Sequence, residues 1–415
     1  MKNHTTKTYQ VKRETLNFSR RISYGTQKDM RKHTANMIYG ILGSGGCVLS
    51  RIADTLHEDI LKKNMIERLS LKLAQGVPEI LKKNYHQAML KMIPHKAVVH
   101  VDESEVIKPY GKKFEALGRV RDGSSPDHKI EKGYHVTEIT ALTQGNKQPV
   151  SLFSHIHSSR EDNFVSVNEI TFRALSETFS LLPDASYVLD RGYDMNKMFN
   201  FMYDNNKQFV IRIKENRLLF WKGKWYKAPT LRDSHKGKIK TKVMFDGKKR
   251  DCWISHLNVK ITAGKQPMKL ILVYGLGEVP MMLATNHDIK GKDDVIRVMR
   301  QYFSRWRIEE YFRFKKDHFG FENFRVRSLT AINALNFYLT CAIGFLGMMA
   351  EKRESSTLRQ AIIKQANALR ENVSFIFYRL GLGVLRLLAH AWSGIREWFR
   401  IGRPLFRQLN FFRLC

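Results

Sequence analysis

The feature that most constrains the fold is residues 186–216, where short apolar runs alternate with a segment of helical spacing. "SYVLDRGYDMNKMFNFMYDNNKQFVIRIKEN" contains a buried-type run that ends at Asp190, then a helix-like segment, then a second apolar run. Strands that alternate with helices are typical of a sheet covered by helices, with functional groups at the strand ends. The chain is therefore predicted to contain an α/β domain.

A second strand that ends in acids lies upstream. "AVVHVDES" is β-branched and includes Asp102, and the strand-like runs "YHVTEITAL" and "PVSLFSHI" follow it. A helix is predicted over about 163–179, where the apolar residues recur at helical spacing. Between 217 and 286 the pattern changes to short strands separated by Gly and Lys turns, which indicates an all-β insertion.

The length of 415 residues is enough for about two or three domains. The N-terminal part is basic and helical, and its "GSGG" break followed by a basic helix is typical of a helix-turn-helix DNA-binding domain. An ordinary small helical bundle is the alternative. The predicted segments are a helical DNA-binding domain (1–95), the first part of an α/β core (96–216), a β-rich insertion (217–286), the second part of the core (287–350) and a helical C-terminal region (351–415).

The charge of the chain points to a polyanionic partner. Lys and Arg number 71 against 39 Asp and Glu, which gives a formal net charge of +32. Such a surplus repels itself unless a polyanion is bound, and nucleic acid is the usual one. The basic residues run along the whole chain, whereas a membrane-surface binder usually concentrates them in one segment. Between Arg212 and Arg250 alone, 14 Lys or Arg face 3 acids, so the insertion is a second candidate DNA-facing region.

The cysteines and the apolar segments bear on the cellular compartment. Four scattered cysteines without a CxxC pair exclude a Cys-rich zinc module and favour a reducing cytosol. The basic N-terminus has no apolar core typical of a secretory signal. Residues 332–350 are uncharged over 19 positions, long enough to span a bilayer, but their Asn, Thr and Gly content favours a buried helix. We expect a cytoplasmic protein at the nucleoid of a bacterium or archaeon, with no membrane partner.

Residues 301–316, "QYFSRWRIEEYFRFKK", mix aromatic rings with charges. On a continuous helix of about 100° per residue, Tyr302, Arg305, Glu309 and Lys316 fall within roughly a 60° arc. One face would then present a carboxylate between two cations, and the other would pack on a core. A salt-bridged surface helix is the alternative, and neighbouring Glu310 is expected to act as a salt-bridge partner.

Three acids form a candidate metal site. Asp102 and Asp190 end apolar strands, and Glu309 lies on the polar face of the late helix. Carboxylates from strand ends and a facing helix can hold two divalent cations about 3.5–4 Å apart for in-line attack on a phosphodiester. Oxygen ligands suit Mg²⁺, with Mn²⁺ as a substitute. The flanking cations Arg305 and Lys316 would hold DNA phosphates.

These residues resemble a known family. The gaps between Tyr302, Arg305, Glu309 and Lys316 match the Y-(2)-R-(3)-E-(6)-K signature of IS4-type DDE transposases, the group of the Tn5 and Tn10 enzymes. "VLDRGYD" is similar to the family's second-Asp box, and the region around "VDESEV" is similar to its first. The resemblance implies an RNase H-like core, a catalytic and metal-binding triad of Asp102, Asp190 and Glu309, and contacts of Tyr302, Arg305 and Lys316 with the transposon end.

The remaining candidates are weaker. Lys108 and Arg191, near the triad acids, are candidates for phosphate contact or for simple ion pairing. In the N-terminal domain the DNA-binding candidates are Lys62, Lys63 and Arg68. Asp194 is expected to cap or brace the helix after the strand that ends at Asp190.

The chain departs from the family at one position. Well-known members use a Trp in the insertion to stack on a flipped base, and here Met281 or Met282 stands at that place. Methionine could wedge a base step but stacks less well than a ring. Trp221, Trp225 and Trp253 lie nearby, and we expect each of them to pack in the core of the β-layer.

The resemblance implies a cut-and-paste transposase that acts as a homodimer on double-stranded DNA. Its substrates would be terminal inverted repeats and target DNA, and its reactions nicking, hairpin formation and strand transfer. Two other functions stay open: a non-catalytic DNA-binding regulator derived from a transposase, and a stand-alone metal-dependent nuclease. The three intact acids speak against the first, and the candidate DNA-binding domains speak against the second.

Overall fold

The computed structural model describes residues 2–400 except 124, 126, 128, 246, 367–374 and 392. The predicted helical C-terminal region (351–415) therefore lies partly outside the described residues. The helices are α1 (Lys2–Ile22), α2 (Lys28–Ser44), α3 (Leu49–Leu56), α4 (Lys62–Ala74), α5 (Glu79–Leu90), α6 (Val167–Leu181), α7 (Asn196–Asp204), α8 (Ala228–Asp233), α9 (Lys292–Phe303), α10 (Trp306–Arg313), α11 (Leu329–Glu351), α12 (Thr357–Gln365), α13 (Phe377–Ala389) and α14 (Glu397–Arg400).

The strands confirm the alternating apolar runs as β-structure. They are β1 (Val98–Ile107), β2 (Gly118–Arg121), β3 (Ile130–Leu142), β4 (Pro149–His157), β5 (Ser186–Leu189), β6 (Gln208–Arg212), β7 (Leu218–Trp221), β8 (Lys224–Lys227), β9 (Ile239–Phe245), β10 (Lys248–Ile261), β11 (Gln266–Tyr274) and β12 (Met281–Thr285). All of them belong to one mixed sheet in the order β2-β3-β1-β5-β6-β12-β11-β10-β7-β8, with β4 on β3 and β9 on β10. The predicted mixed α/β class is thus confirmed.

The strands of the predicted insertion continue this sheet. β12 pairs antiparallel with β6, and β11 and β10 follow outward from β12. Their inner face packs on α9, where the thiol of Cys252 lies 3.9 Å from the sulfur of Met299. The insertion therefore forms no separate sheet among the described residues, and the expectation that it is all-β is wrong because α8 lies within it. The domain boundaries remain predictions.

The N-terminal helices pack on the C-terminal ones. α2 contacts α11 and α13, and the Phe18 ring of α1 lies 5.8 Å from the Phe345 ring of α11. α11 is long and apolar enough to cross a membrane, but 78% of its most apolar window is buried inside the protein. The predicted buried helix over residues 332–350 is therefore confirmed.

Side chains from two helices satisfy the outer edge of β4. The Asn333 amide donates to Ile156 O and accepts from Ile156 N, both at 2.9 Å. His86 bonds to Leu152 O at 2.8 Å, and the Tyr85 hydroxyl donates to Ser151 O at 2.9 Å. An unpaired strand edge can pair with a strand of another chain. These side chains occupy hydrogen-bonding groups of β4 and so protect this edge of the sheet.

Replacing Asn333 by Leu should destabilise the protein. The change leaves Ile156 N–H and C=O without their partner, at a cost of about 1–3 kcal/mol. Thermal unfolding of the variant would measure the loss, with Asn200→Leu on the exposed side of α7 as a control. Equal melting temperatures of the two variants would contradict the proposed role of the amide.

Candidate active site

Asp102 and Asp190 lie side by side because their strands are adjacent and parallel. β1 pairs with β5, and Val101 lies opposite Leu189 in the register. Asp190 directly follows the last residue of β5, as expected, but Asp102 is the fifth of the ten residues of β1, so the prediction that Asp102 ends its strand is wrong. Residues that follow a paired position on adjacent parallel strands are neighbours, so Asp190 at the end of β5 lies beside Asp102 within β1.

A tight turn fixes the Asp190 carboxylate. The chain enters a single 3₁₀ turn over Arg191–Tyr193, and Asp190 Oδ1 accepts a hydrogen bond from Gly192 N at 2.5 Å. A Cβ atom at position 192 would lie 2.9 Å from the same oxygen. Glycine is therefore required for the backbone to approach the carboxylate this closely.

Glu309 comes from α10, which packs on β1. The prediction of one continuous helix over residues 301–316 is wrong. α9 ends at Phe303 and α10 begins at Trp306, and a π-helical turn over Phe314–His318 follows α10. The projection at about 100° per residue fails across these two breaks, because each changes the rotation of the helix.

A hydrogen bond from the sheet holds the first break in place. The buried His100 ring lies two residues before Asp102 on β1, and its Nε2 is 2.9 Å from the Ser304 hydroxyl. Burial lowers the pKa of His100 to about 3, and the Arg305 and Arg307 charges contribute. The ring is therefore neutral at physiological pH and joins β1 to the start of α10.

Arg305 joins two of the three predicted triad acids. Its guanidinium lies 2.8 Å from Asp102 Oδ2 and also donates to Glu309 Oε1. The Arg305 side chain is 17% exposed and that of Glu309 is 49% exposed. In this structure Arg305 binds the acids rather than presenting its charge to solvent.

Burial and three neighbouring charged side chains act on the pKa of the Asp102 carboxyl. Burial raises its pKa to about 7, the Arg305 charge opposes this rise, and the Asp190 and Glu309 charges add to it. Burial also raises the pKa of Glu103, whose carboxylate accepts a hydrogen bond from Thr171 at 3.0 Å. Glu103 is a fourth acid near the site that the sequence pattern did not single out.

Carboxylate oxygens are the kind of ligand that a hard divalent cation prefers, although Asp102 and Glu309 are ion-paired with Arg305. Among the described residues, no group of three His, Cys, Asp or Glu side chains is close enough to hold a metal ion. Arg305 lies between Asp102 and Glu309 and satisfies both. The two carboxylates that share Arg305, together with that of Asp190, nevertheless supply the oxygen ligands that Mg²⁺ and Mn²⁺ prefer.

Tyr302 and Lys316, the outer residues of the signature, are only slightly exposed. Tyr302 is 6% exposed and packs in the apolar cluster between the sheet and α9. The Lys316 ammonium lies 3.1 Å from Glu105 and 3.6 Å from Glu322. Contact of either residue with DNA remains a prediction.

The π-helical turn also contains Lys315, the residue before Lys316, and buries it. Lys315 is 1% exposed. Its ammonium lies 3.0 Å from Glu138, 2.8 Å from Asn336 and 3.2 Å from the Ser154 hydroxyl. Glu138 is itself fully buried and lies opposite Asp102 in the β1–β3 register. This ion pair therefore anchors the end of α10 to the strand beside the site.

The sequence contained one signal for the buried lysine. Ile308, Tyr311 and Phe312 are buried, and Lys315 lies at the i+7 position of the same apolar stripe. A cation at such a position requires a buried partner. The partner, Glu138, is 177 positions away in the chain.

The other predicted DNA contacts differ in exposure. Lys108 is 8% exposed, and its ammonium donates to Phe324 O at 2.8 Å and lies 3.7 Å from the Phe324 ring centre. Burial lowers its pKa to about 8. Arg191 is exposed beside Asp190. Phosphate contact by both residues remains a prediction, although Lys108 already has partners within the fold.

The N-terminal candidates lie on α4. Lys62 pairs with Asp54 at 2.7 Å, and Arg68 pairs with Glu58 at 3.0 Å. Lys63 is exposed. DNA binding through this helix also remains a prediction.

Two acids next to the triad have structural partners. The buried Asp194 carboxylate accepts from Lys214 N at 2.6 Å and pairs with Arg217 at 2.7 Å, so it braces the loop after β6 rather than a helix. Glu310 pairs with Arg313 at 3.0 Å, which confirms the expected salt bridge.

The expectation that the tryptophans pack in the core is wrong for two of them. Trp225 is 44% exposed on β8, at the end of the sheet, and Trp253 is 40% exposed on β10. Trp221 is partly buried against the core, as expected. Of the two methionines, Met282 is 3% exposed and Met281 is half-buried.

Comparison with known proteins identifies one domain. Residues 165–345 match the family model described as "Transposase DDE domain". The matched segment is less than half of the chain and contains Asp190 and Glu309, while Asp102 lies before it. No curated protein sequence matches the chain.

Three solved structures show weak similarity. A piggyBac transposase synaptic complex with hairpin DNA is 12% identical over 95% of this chain and 82% of that chain, with a TM-score of 0.42. Endonuclease V from Ciona intestinalis, bound to inosine-containing DNA, is 10% identical over 53% of this chain and 86% of that chain, with a TM-score of 0.25. The NurA nuclease from Sulfolobus solfataricus is 10% identical over 71% of this chain and 96% of that chain, with a TM-score of 0.25. Similarity at this level does not establish a shared function.

Proposed function

We propose that this chain is the DNA transposase of an insertion sequence of the IS4 type, with an RNase H-like core. The observation that carries the proposal is the junction of Asp102, Asp190 and Glu309. Asp102 lies on β1 beside Asp190, which follows the adjacent parallel strand β5, and Arg305 links Glu309 to Asp102. The match of residues 165–345 to the transposase DDE domain supports this function.

Asp102, Asp190 and Glu309 would hold Mg²⁺, or Mn²⁺ in its place. When bound, the ions supply activation of the nucleophile and stabilisation of the leaving oxygen. Arg305 would exchange its ion pairs with Asp102 and Glu309 for a DNA phosphate, because a guanidinium binds phosphate oxygens through two parallel hydrogen bonds. Asp102 and Glu309 would then be free to bind metal. DNA binding would therefore be coupled, through Arg305, to the freeing of these two carboxylates.

The proposed reaction is a series of phosphodiester exchanges. Water attacks a phosphodiester at the element end and releases a 3′-OH, which attacks the opposite strand and forms a hairpin. After the hairpin is opened by water, the same 3′-OH attacks target DNA. Each step forms one phosphorus–oxygen bond and breaks one, so no covalent enzyme intermediate is needed. A homodimer would pair the two ends before cutting.

Cleavage of the element's own ends tests this proposal. Purified full-length protein with Mg²⁺ should cut a duplex that carries the inverted repeats flanking its reading frame and should produce hairpins visible on a denaturing gel. A duplex with scrambled ends should remain intact. Binding without cleavage would instead indicate a regulator, and equal cleavage of both duplexes would indicate a nuclease. Either result would overturn the transposase assignment.

A further inference from the structure

A group of exposed basic and aromatic side chains lies at one end of the β1–β3 ladder, outside the candidate active site. It comprises the outward side chains of the β2–β3 hairpin and of the loop that precedes β2. We call this group the hairpin patch: Tyr110, Lys112, Lys113, Arg119, Arg121 and Lys132.

The register of the hairpin places its cations on one face. Arg119 lies opposite Lys132, and Arg121 lies opposite Ile130. Residues directly opposite each other in an antiparallel pair project from the same side of the sheet. All four are exposed, Ile130 at 70%, whereas Val120 on the other face is 3% exposed. The outward face of the hairpin is therefore basic and open to solvent.

Hydrogen bonds hold the loop that precedes β2 against this hairpin. The buried Lys108 ammonium donates to the carbonyls of Glu322 and Phe324, and Lys108 O accepts from Gly111 N at 2.9 Å. Lys132 Nζ lies 3.5 Å from Gly111 O. The loop thus presents Tyr110 at 93% exposure, next to the exposed Lys112 and Lys113.

The cations of the patch have no acidic ion-pair partner among the described residues. In the part of the chain that the structure describes, no ion pair involves Lys112, Lys113, Arg119, Arg121 or Lys132. Cations on α4, in contrast, pair with Asp54 and Glu58. Concentrated positive charge without partners raises the local potential and attracts a polyanion.

Arg119 and Lys132 of the patch lie on the same sheet face as Asp102. Lys132 and Glu138 are six residues apart on β3, so the alternation of side chains places both on one face. Glu138 lies opposite Asp102 in the register. Six residues of strand span about 20 Å. One helical turn of duplex DNA, about 10 base pairs, spans about 34 Å, so a duplex bound at Asp102 is long enough to reach the patch.

We propose that the hairpin patch binds the phosphate backbone of double-stranded DNA independently of sequence. This inference rests on the proposed function, because it extends the DNA path away from the candidate active site. The lysines and arginines would neutralise phosphates, and the Tyr110 hydroxyl would donate to a phosphate oxygen.

The salt dependence of DNA binding tests the patch. Full-length protein is titrated with a labelled 30-base-pair duplex of arbitrary sequence in EDTA, at several NaCl concentrations. The triple variant Lys112→Gln, Lys113→Gln, Arg119→Gln should flatten the slope of log affinity against log salt by about 2–3, since each lost phosphate contact removes about 0.9. Affinity at low salt should fall about tenfold or more.

A matched triple variant at the other end of the ladder controls for net charge. Lys91, Lys96 and Lys147 are exposed, and the backbone bond of Gln144 N to Met92 O joins their segments. Their replacement by Gln should leave the slope within about 0.5 of wild type, because they lie away from the proposed DNA path. Equal flattening in both triple variants, or an unchanged slope in the patch variant, would overturn the proposal. A loss of affinity that is confined to single-stranded DNA of the same sequence would also overturn the proposal.

Two features keep the result decisive. If the triple variant fails to fold, Lys112→Gln alone should flatten the slope by about 0.9, and no change there rejects the patch. The experiment uses EDTA and arbitrary DNA, so it does not depend on cleavage. Failure of end cleavage would overturn the proposed function alone, and an unaltered slope would overturn the patch alone.

Discussion

Asp102→Asn, Asp190→Asn and Glu309→Gln should each abolish DNA cleavage and leave DNA binding in place. Each change removes one carboxylate charge with little change in shape. Loss of a metal ligand forfeits several kcal/mol of transition-state stabilisation, and at about 1.4 kcal/mol per tenfold the cleavage rate should fall about a thousandfold or more. Initial rates on a duplex with the element's ends, together with gel-shift affinity, would measure both effects. Cleavage near the wild-type rate in any one variant would remove that acid from the triad.

The matched control for this series is Glu310→Gln. Glu310 is adjacent to Glu309 on α10 but pairs with Arg313 at 3.0 Å rather than with Arg305. The Arg313 side chain is 61% exposed, so this pair contributes at most about 1 kcal/mol. We expect cleavage within about threefold of wild type. A loss as large as that of Glu309→Gln would mean that charge on this helix, and not the position of one acid, sets the rate.

Lys315→Met should cause the largest loss of stability among the ion-pair variants. The Lys315 and Glu138 side chains are 2% and 0% exposed, so removing the lysine leaves a buried carboxylate without its cation. Breaking such a pair costs about 3–5 kcal/mol. At about 2–4 °C per kcal/mol, the melting temperature should fall by about 10 °C. Differential scanning fluorimetry of the full chain would measure the shift.

Two further variants identify the cause of that loss. Lys316→Met removes the neighbouring cation, whose side chain is 20% exposed, and should cost about 1 kcal/mol. The double variant Lys315→Met, Glu138→Gln removes both buried charges and should recover much of the stability. If Lys315→Met were no more destabilising than Lys316→Met, the buried pair would not anchor α10.

The strands were predictable because their apolar pattern is local. The run that ends at Asp190 is followed by a helix and a second strand, as its periodicity indicated, and the run that contains Asp102 is β1. The expectation that both acids end their strands holds for Asp190 only, because β1 continues beyond Asp102 to Ile107. The β1–β5 register nevertheless places Asp102 and Asp190 side by side.

The late helix was predicted only in part, because its geometry depends on distant contacts. Local periodicity assumes an unbroken helix, whereas the chain breaks near Ser304, where the hydroxyl bonds to His100 on β1. The π-helical turn that contains Lys315 is likewise held by Glu138 on β3. Neither partner is close in sequence, so no local pattern reports them.

The sequence by itself determined the apolar strands, the position of Asp190 at the end of one of them and the surplus of positive charge. These properties depend on residue type and near-neighbour spacing. Only the tertiary structure decided which charges meet: Arg305 pairs with Asp102 across 203 positions, and Lys315 pairs with Glu138 across 177. The energy of a charge pair depends on its separation in space and on its burial, and both exist only once the chain has folded.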